Sequence, residues 1–468
     1  MFYRYYRTYY RTARYTEPPV LIQLDTTNLP LVIINTDGKA SRITRRNEVK
    51  AKLVIIDNGE GELNYTDTVS HPNQMIDFEG KAKIHLSGYT SLEVPKKSFT
   101  VEIIDEKGEK QKTKILGMKK SSKWGLRASY IDGSMMRDIL TMELAQGNID
   151  YASQMQLCEV MIDGIYQGVY LLTEKVTRDR LGIKKTSPED EELSGGYLLE
   201  KDHLDCTFRS KYPPVDSTGQ AISDVKTAIS VVYPKEKNLK PNQLQQIENE
   251  FAAAEDAIAS GDFTRYSKFI DVDNFVHYFL INEFASNSDS YRMSFKIYKP
   301  KGEERYLLAP WDFDYAYGNA SRDRSFINTW WYEGRFTYKL SEEYPIFWFY
   351  TLMKDSVFRS RVQEQWGELR ENAYSTANIE HKIDSLNYVL TVNGAINRNT
   401  EAWETYSVHR KEARRGLSYN EEIAFLKAWI RARLAFMDRE LLGIDNEEDI
   451  QKAYNDVGRL ILIGKQKY

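Results

Sequence analysis

The chain is poor in the residues that build covalent or metal-centred frameworks. Its 468 residues include only two cysteines, Cys158 and Cys206, and six histidines. Two thiols cannot supply a disulfide framework or a four-thiolate zinc site, and no HExxH pair of histidines is present. No apolar run approaches the roughly 18 residues that a membrane-spanning helix needs. An excess of one charge is missing too: 64 Lys+Arg against 68 Asp+Glu leave a formal net charge of −4. That balance argues against a dedicated nucleic-acid surface. The phosphate-binding G-x-x-x-x-G-K-[ST], the dinucleotide-binding G-x-G-x-x-G and the G-x-S-x-G nucleophile elbow are all absent. What is present is an ordinary globular composition, 41% hydrophobic and 28% charged, with 32 tyrosines. The length suits roughly three domain-equivalents or two larger lobes.

The first sixteen residues, MFYRYYRTYYRTARYT, carry four arginines and six tyrosines. They lack the apolar core of about 7–15 residues that a secretory signal requires. Residues 1–19 are therefore expected to be a disordered tail; the alternative is a contact with an anionic surface through Arg and stacked Tyr.

A β-rich leader is expected over 20–80. LPLVIINTDG (29–38) and AKLVIIDNGEG (51–61) are β-branched runs closed by turn residues. In SFTVEII, Phe99, Val101 and Ile103 alternate with Thr100 and Glu102, the pattern of a half-buried strand. DGSMMRDILTMELAQ (132–146) has helical spacing, and residues 157–176 read as a hairpin turning at Asp163-Gly164. Residues 213–245 look like a linker or insertion. Helical patterns then dominate, with Asp271 or Asp273 as the N-cap of 270–284 and a last stripe of Leu426, Ile430, Leu434, Met437 and Leu441. A short strand pair at 295–313 interrupts them.

Three segments could carry chemistry. In the stretch 287–319, Asp289 stands in a polar loop after an apolar helix, and a strand runs into Trp311-Asp312-Phe313-Asp314. Carboxylates at i and i+2 of an extended segment point the same way. Such a pair suits Mg²⁺, which takes one or two carboxylates and completes its shell with waters and phosphates. Asp289 could orient or deprotonate a hydroxyl. The plainer reading is a turn whose aspartates cap backbone N–H groups around a buried tryptophan. At Pro95-Lys96-Lys97-Ser98 a strand lysine could pair with phosphates, or be a solvated edge-strand charge. Glu143 could orient that lysine, or be an ordinary exposed helix carboxylate.

Together these segments resemble the CotH (spore-coat protein H-like) kinase family. The most specific pieces are D-G-x-Y-x-G-V-Y-x-L-x-E (163–174) and P-W-D-F-D-x-x-x-G (310–318), supported by PKKSFTVEI and KWGLRASYIDGSMMRDILTMELA. The resemblance spans about residues 25–445. It implies an α+β, atypical two-lobed protein-kinase-like fold, with a β-rich N-lobe carrying one helix (81–205), a helical C-lobe (206–445) and a C-terminal tail (446–468). It also implies ATP with Mg or Mn as cofactors and phosphotransfer to Ser/Thr hydroxyls of a protein substrate, by a monomer with no nucleic-acid partner. Residue by residue, Lys97 would hold phosphates with Lys96 as fallback, and Glu143 would be the helix partner. Glu174 would lie near the nucleotide, Asp289 would be the catalytic-loop aspartate, and Asp312 and Asp314 would bind metal. Arg137 also matches a family position. Two departures stand out. Ser294 occupies the place where kinase loops put a metal-binding Asn. The turn before PKKS reads Leu86-Ser87-Gly88-Tyr89-Thr90, keeping the glycine without the family's arginine. A catalytically inactive cell-surface or assembly scaffold is the rival reading. A glycan hydrolase ranks last, because its two carboxylates must stand about 5–9.5 Å apart across a bond. Relatives imply an envelope or extracellular setting, while the absence of an export segment leaves the cytoplasm open.

Overall fold

Seven strands in the N-terminal part close into a barrel. In chain order they are β1 (Leu31–Asn35), β2 (Val49–Ile56), β3 (Ile76–Ser87), β4 (Ser98–Ile104), β5 (Lys123–Arg127), β6 (Met155–Ile162) and β7 (Ile165–Glu174). This computed structural model describes residues 13–466, apart from 188, 203–205, 217, 224, 301–304, 321–326, 334–343 and 404–416. Around the barrel the order is β1-β2-β3-β4-β5-β7-β6, and the ring is closed by parallel pairing of β1 with β6, Val32 opposite Val160. Period-2 alternation fills the interior: Phe99, Val101 and Ile103 meet Ile84, Trp124 and Leu172 in one apolar cluster. The β6–β7 hairpin turns at Asp163-Gly164, both with positive φ (49° and 80°), as a two-residue primed turn demands.

Helix α1 (Arg137–Ala145) follows β5. Its entry is shaped by Asp132, whose carboxylate accepts the backbone N–H of Ser134 and of Arg137 at 2.9 Å each. Beyond the barrel come β8 (Tyr197–Lys201), β9 (Phe208–Arg209), β10 (Ala228–Tyr233), β11 (Phe295–Lys299) and β12 (Leu307–Ala309). They form one sheet in the order β9-β10-β8-β11-β12. Eight helices accompany it among the described residues: α2 (Pro241–Ala259), α3 (Val272–Ala285), α4 (Trp348–Leu352), α5 (Ser356–Glu371), α6 (Thr376–Thr391), α7 (Ala395–Trp403), α8 (Tyr419–Leu442) and α9 (Glu447–Gln466). A four-residue helical turn, Phe263–Tyr266, precedes α3. Helix α3 is apolar almost all round and lies in the core, as such a composition requires. Asp271 caps it by accepting the Asn274 N–H at 3.1 Å, and Phe275 stacks on Trp348 with ring centroids 5.9 Å apart. The chain is thus a mixed α+β protein, β-rich at the N-terminal side and helical at the C-terminal side.

Several boundaries differ from the sequence expectation. The segment 20–80 is not a separate leader: it supplies β1, β2 and the start of β3 (Ile76–Gly80) of the barrel itself. Within the expected tail, Ala13 and Tyr15 pack against the barrel core, with the Tyr15 hydroxyl accepting from Gln167 Nε2 at 2.8 Å; residues 1–12 lie outside the described residues. The supposed linker 213–245 contains β10 and the start of α2. The supposed tail 446–468 is largely α9, which buries Ala453, Val457 and Leu460 against the core. Among the described residues no helix is long and apolar enough to cross a membrane.

Candidate functional site

A cleft of about 1220 Å³ opens where β4, β5, β7 and the Ser87-Gly88 turn face the loops 289–294 and 311–315. Asp289, Ser294, Asp312 and Asp314 all line it, so the structure brings four of the expected residues together. The parity argument for the aspartate pair fails even so. Strand β12 ends at Ala309, and Asp312 is left-handed (φ 69°), so 310–314 is not extended. Hydrogen bonds set the loop instead. Asp312 accepts from Arg127 Nη2 on one oxygen and from Ser294 Oγ at 3.1 Å on the other. The Phe313 N–H donates to Asp138 Oδ1 at 2.8 Å, and the Phe313 ring is fully buried.

The Asp289 loop follows the C-terminus of α3, where Ser286 takes φ 44°. Asn287 shapes it: its Oδ1 accepts the Asp289 N–H at 3.1 Å and its Nδ2 donates to the Asp312 carbonyl at 3.2 Å. Arg292 holds the Asp289 carboxylate and donates through Nε to the Ser288 carbonyl at 2.6 Å. Tyr291 (φ 61°) and Ser294 (φ 51°) are also left-handed. Backbone strain at several non-glycine residues around one cleft is common at functional sites.

Of the other expected residues, Lys97, Glu143, Glu174 and Arg137 do not line the cleft. Lys97 donates to the carbonyls of Leu92 (2.7 Å) and Val94 (2.6 Å), and burial lowers its ammonium to about 8. Lys96 borders the cleft, but its ammonium is wholly buried. It bonds the carbonyls of Val169 and Ala128 and, at 2.8 Å, Asn399 Oδ1 of α7; burial pushes its pKa well down. Neither lysine faces the cleft as an uncommitted cation. Glu143 reaches Lys382 of α6 at 3.1 Å instead of either lysine. Glu174 is on the opposite parity of β7 from the cleft-lining Thr173. It pairs with Arg180 at 2.7 Å, although burial still leaves its carboxyl raised. Arg137 is a buried structural tie: it pairs with Asp132 and with Glu422 of α8 (2.9 Å) and donates to the Ala316 carbonyl (3.0 Å).

Three cleft residues carry no signal of their own in the sequence, although each lies in or beside a motif named above. Asp138 follows Arg137, and Lys175 follows Glu174; Arg127 lies in the quoted KWGLRAS. Arg127 joins Asp138 (2.9 Å) to Asp312 and stacks over Trp311 at 5.1 Å. Burial alone would lower the Arg127 pKa, but Asp138, Asp312 and Asp314 outweigh it and raise it. The Arg127–Asp138 pair bridges β5 and α1, whereas Glu143 meets Lys382 and not Lys97.

A family model described as CotH kinase protein matches residues 84–437. The chain belongs to the CotH kinase protein family. Inner spore coat protein H of Bacillus subtilis (strain 168) is 22% identical over 194 residues, covering 41% of this chain and 49% of that protein. The match thus spans about half of that relative's length. Every cleft-lining carboxylate discussed above lies inside the family match, whereas β1 and β2, which complete the barrel, precede it.

A divalent metal would have to be held by few protein oxygens in this CotH family member. Among the described residues no group of three or more His, Cys, Asp or Glu side chains is placed to enclose a metal. Asp312 and Asp314 still fit the two-carboxylate pattern of Mg²⁺. Asp312 keeps 29% of its side chain exposed to the cleft, and the Asp314 carboxylate shows no hydrogen bond among the described residues. Burial, then Asp312 and Asp138, pushes the Asp314 carboxyl well above the usual range, an electrostatic conflict that a cation would relieve. Asp312 is lowered on balance, because Arg127 and the Ser294 hydrogen bond overcome burial. Ser294 is positioned as a donor to Asp312, so its hydroxyl hydrogen is already engaged there.

Proposed function

We propose that the chain is an ATP-dependent, metal-assisted protein kinase of the CotH type, transferring a phosphoryl group to Ser/Thr hydroxyls of a protein. In this reading the barrel acts as the N-lobe and the helical part as the C-lobe of a kinase-like pair. The observation that carries it is the common cleft wall of Asp289, Ser294, Asp312 and Asp314, faced by Arg127 and Lys175. Phosphoryl transfer needs little covalent help and depends on positioning and charge neutralisation. Asp312 and Asp314 would hold Mg²⁺ or Mn²⁺, which when bound neutralises phosphate charge. Asp289, kept in place by Arg292 and Asn287, would accept the proton of the acceptor hydroxyl. Arg127 fixes Asp312 against α1 through Asp138, so the loop is held before any ligand arrives. The relationship to a spore-coat protein supports association with an envelope or coat structure.

The test is transfer of labelled γ-phosphate to a Ser/Thr-rich protein mixture in Mg²⁺ and Mn²⁺. Transfer by the wild type that is lost in Asp289→Asn and Asp312→Asn supports the reading; transfer unchanged in both overturns it. A second reading, an inactive scaffold, is favoured by Asp312, whose two oxygens are already satisfied by Arg127 and Ser294. It expects no metal-dependent nucleotide binding at all.

A further inference from the structure

Lys175 is a cation of this cleft that the carboxylate chemistry leaves over. It follows the last residue of β7 and, with Thr173, lines the cleft. Its stem crosses β5 at Gly125, where an added Cβ would sit 3.0 Å from Thr173 Cγ2 and 4.0 Å from Lys175 Cγ. The ammonium then reaches Thr100 Oγ1 of β4 at 2.8 Å and Ser87 Oγ at the end of β3 at 3.0 Å. Among the described residues no carboxylate forms an ion pair with it. Three of the cations around it differ: Lys296 pairs with Glu200, Lys123 with Glu102 at 3.3 Å, and Arg127 with Asp138 and Asp312. Burial first, then Lys296, Lys123, Arg127 and Arg45, brings the Lys175 ammonium down to about 7.

Beyond Ser87 the chain turns at Gly88, whose φ of 101° favours glycine and which packs closely against the Ser91 side chain. Arg45 lines the same corner and donates to the Gly88 carbonyl. A desolvated ammonium held by two hydroxyls, beside a glycine turn and other cations, gains from an anion and from little else.

We infer that Lys175, tethered by Ser87 and Thr100 beside the Gly88 turn, holds the polyphosphate of the bound nucleotide, the role that the family resemblance gave to Lys97. The inference rests on the ATP reading for its ligand, but it assigns a residue and a corner of the cleft that the resemblance does not.

The experiment measures binding of tripolyphosphate, and separately of ATP with Mn²⁺, to the full chain by calorimetry, with melting temperatures recorded without ligand. Lys175→Met should weaken tripolyphosphate at least tenfold while melting no lower than wild type, because the substitution removes a repelled cation. A merely structural lysine would show the reverse, a lower melting temperature and unchanged binding, and would overturn the inference. Thr100→Val and Ser87→Ala, which keep the charge but untether it, should each weaken tripolyphosphate several-fold, and they decide the matter if Lys175→Met does not fold. Tripolyphosphate binding that depends on Lys175 without ATP binding supports the anion site and removes the nucleotide reading. ATP binding that Lys175→Met leaves intact overturns the inference and keeps that reading. Binding of neither ligand overturns both.

Discussion

Replacing Asp138 by alanine should cripple the cleft, whereas replacing Glu143 should not, although Glu143 was the helix carboxylate expected from the sequence. Asp138 does two jobs: Oδ2 pairs with Arg127 at 2.9 Å, and Oδ1 accepts the Phe313 N–H at 2.8 Å. Its loss leaves that N–H buried and unpaired, a cost of about 1–3 kcal/mol. Arg127 keeps Asp312, so the further loss is well below the roughly 3–5 kcal/mol of a wholly orphaned buried charge. Burial already raises the Asp138 carboxyl despite Arg127, so removing it also relieves strain, and a net destabilisation of about 2–3 kcal/mol is expected. Glu143 and its partner Lys382 keep 33% and 29% of their side chains exposed. Such a pair contributes about 0–1 kcal/mol, so Glu143→Ala should be nearly silent. Urea unfolding gives the two stabilities, and phosphoryl transfer gives the two activities. A silent Asp138→Ala beside an inactive Glu143→Ala would refute this reasoning.

Three further outcomes follow from the same contacts. Asp314→Asn should raise the melting temperature of the ligand-free protein, since it removes a carboxylate repelled by Asp312 and Asp138, while abolishing metal-dependent binding; a lower melting temperature would contradict the electrostatic account. Lys97→Met leaves the Leu92 and Val94 carbonyls unpaired and should cost about 1–3 kcal/mol in urea unfolding with little change in nucleotide affinity. Glu283 is buried beside Arg433, and burial raises its carboxyl from 4.5 to about 7 despite that partner. Between those values the folded state binds more protons than the unfolded one, so Glu283 should make stability fall as pH rises from about 4.5 to about 7. Stability measured across that window in Glu283→Gln should lack this component, and an unchanged slope would contradict it.

The sequence carried the local grammar well. Asp163-Gly164 marked a hairpin turn, Asp271 was one of two N-cap candidates and is the cap, and Leu426, Ile430, Leu434, Met437 and Leu441 marked the buried stripe of α8. Each of these depends on neighbours within a few residues. Barrel closure does not: β1 pairs with β6 across most of the barrel sequence, and nothing in either strand announces its partner. Helix α9 was legible in principle, since Ile450, Ala453, Val457 and Leu460 recur at helical spacing, but the charged residues between them read as a tail. At the cleft, the aspartates were found for a partly mistaken reason, because left-handed Asp312 breaks the strand that parity assumed. The lysines were harder to place, because residue type does not say where an ammonium finds its acceptors. Lys96 and Lys97 turn to backbone carbonyls, while Lys175 crosses Gly125 into the cleft.

The most direct test of the central claim is calorimetric titration of the full chain with ATP, in Mn²⁺ and in EDTA, beside Asp314→Ala. Occupancy at about 100 Kd should also stabilise the fold by roughly 2.7 kcal/mol. One nucleotide bound per chain in Mn²⁺, with binding greatly weakened in EDTA and in the variant, is the result expected of a metal-assisted nucleotide cleft. No binding at millimolar ATP, or equal binding in EDTA and in Asp314→Ala, would contradict it.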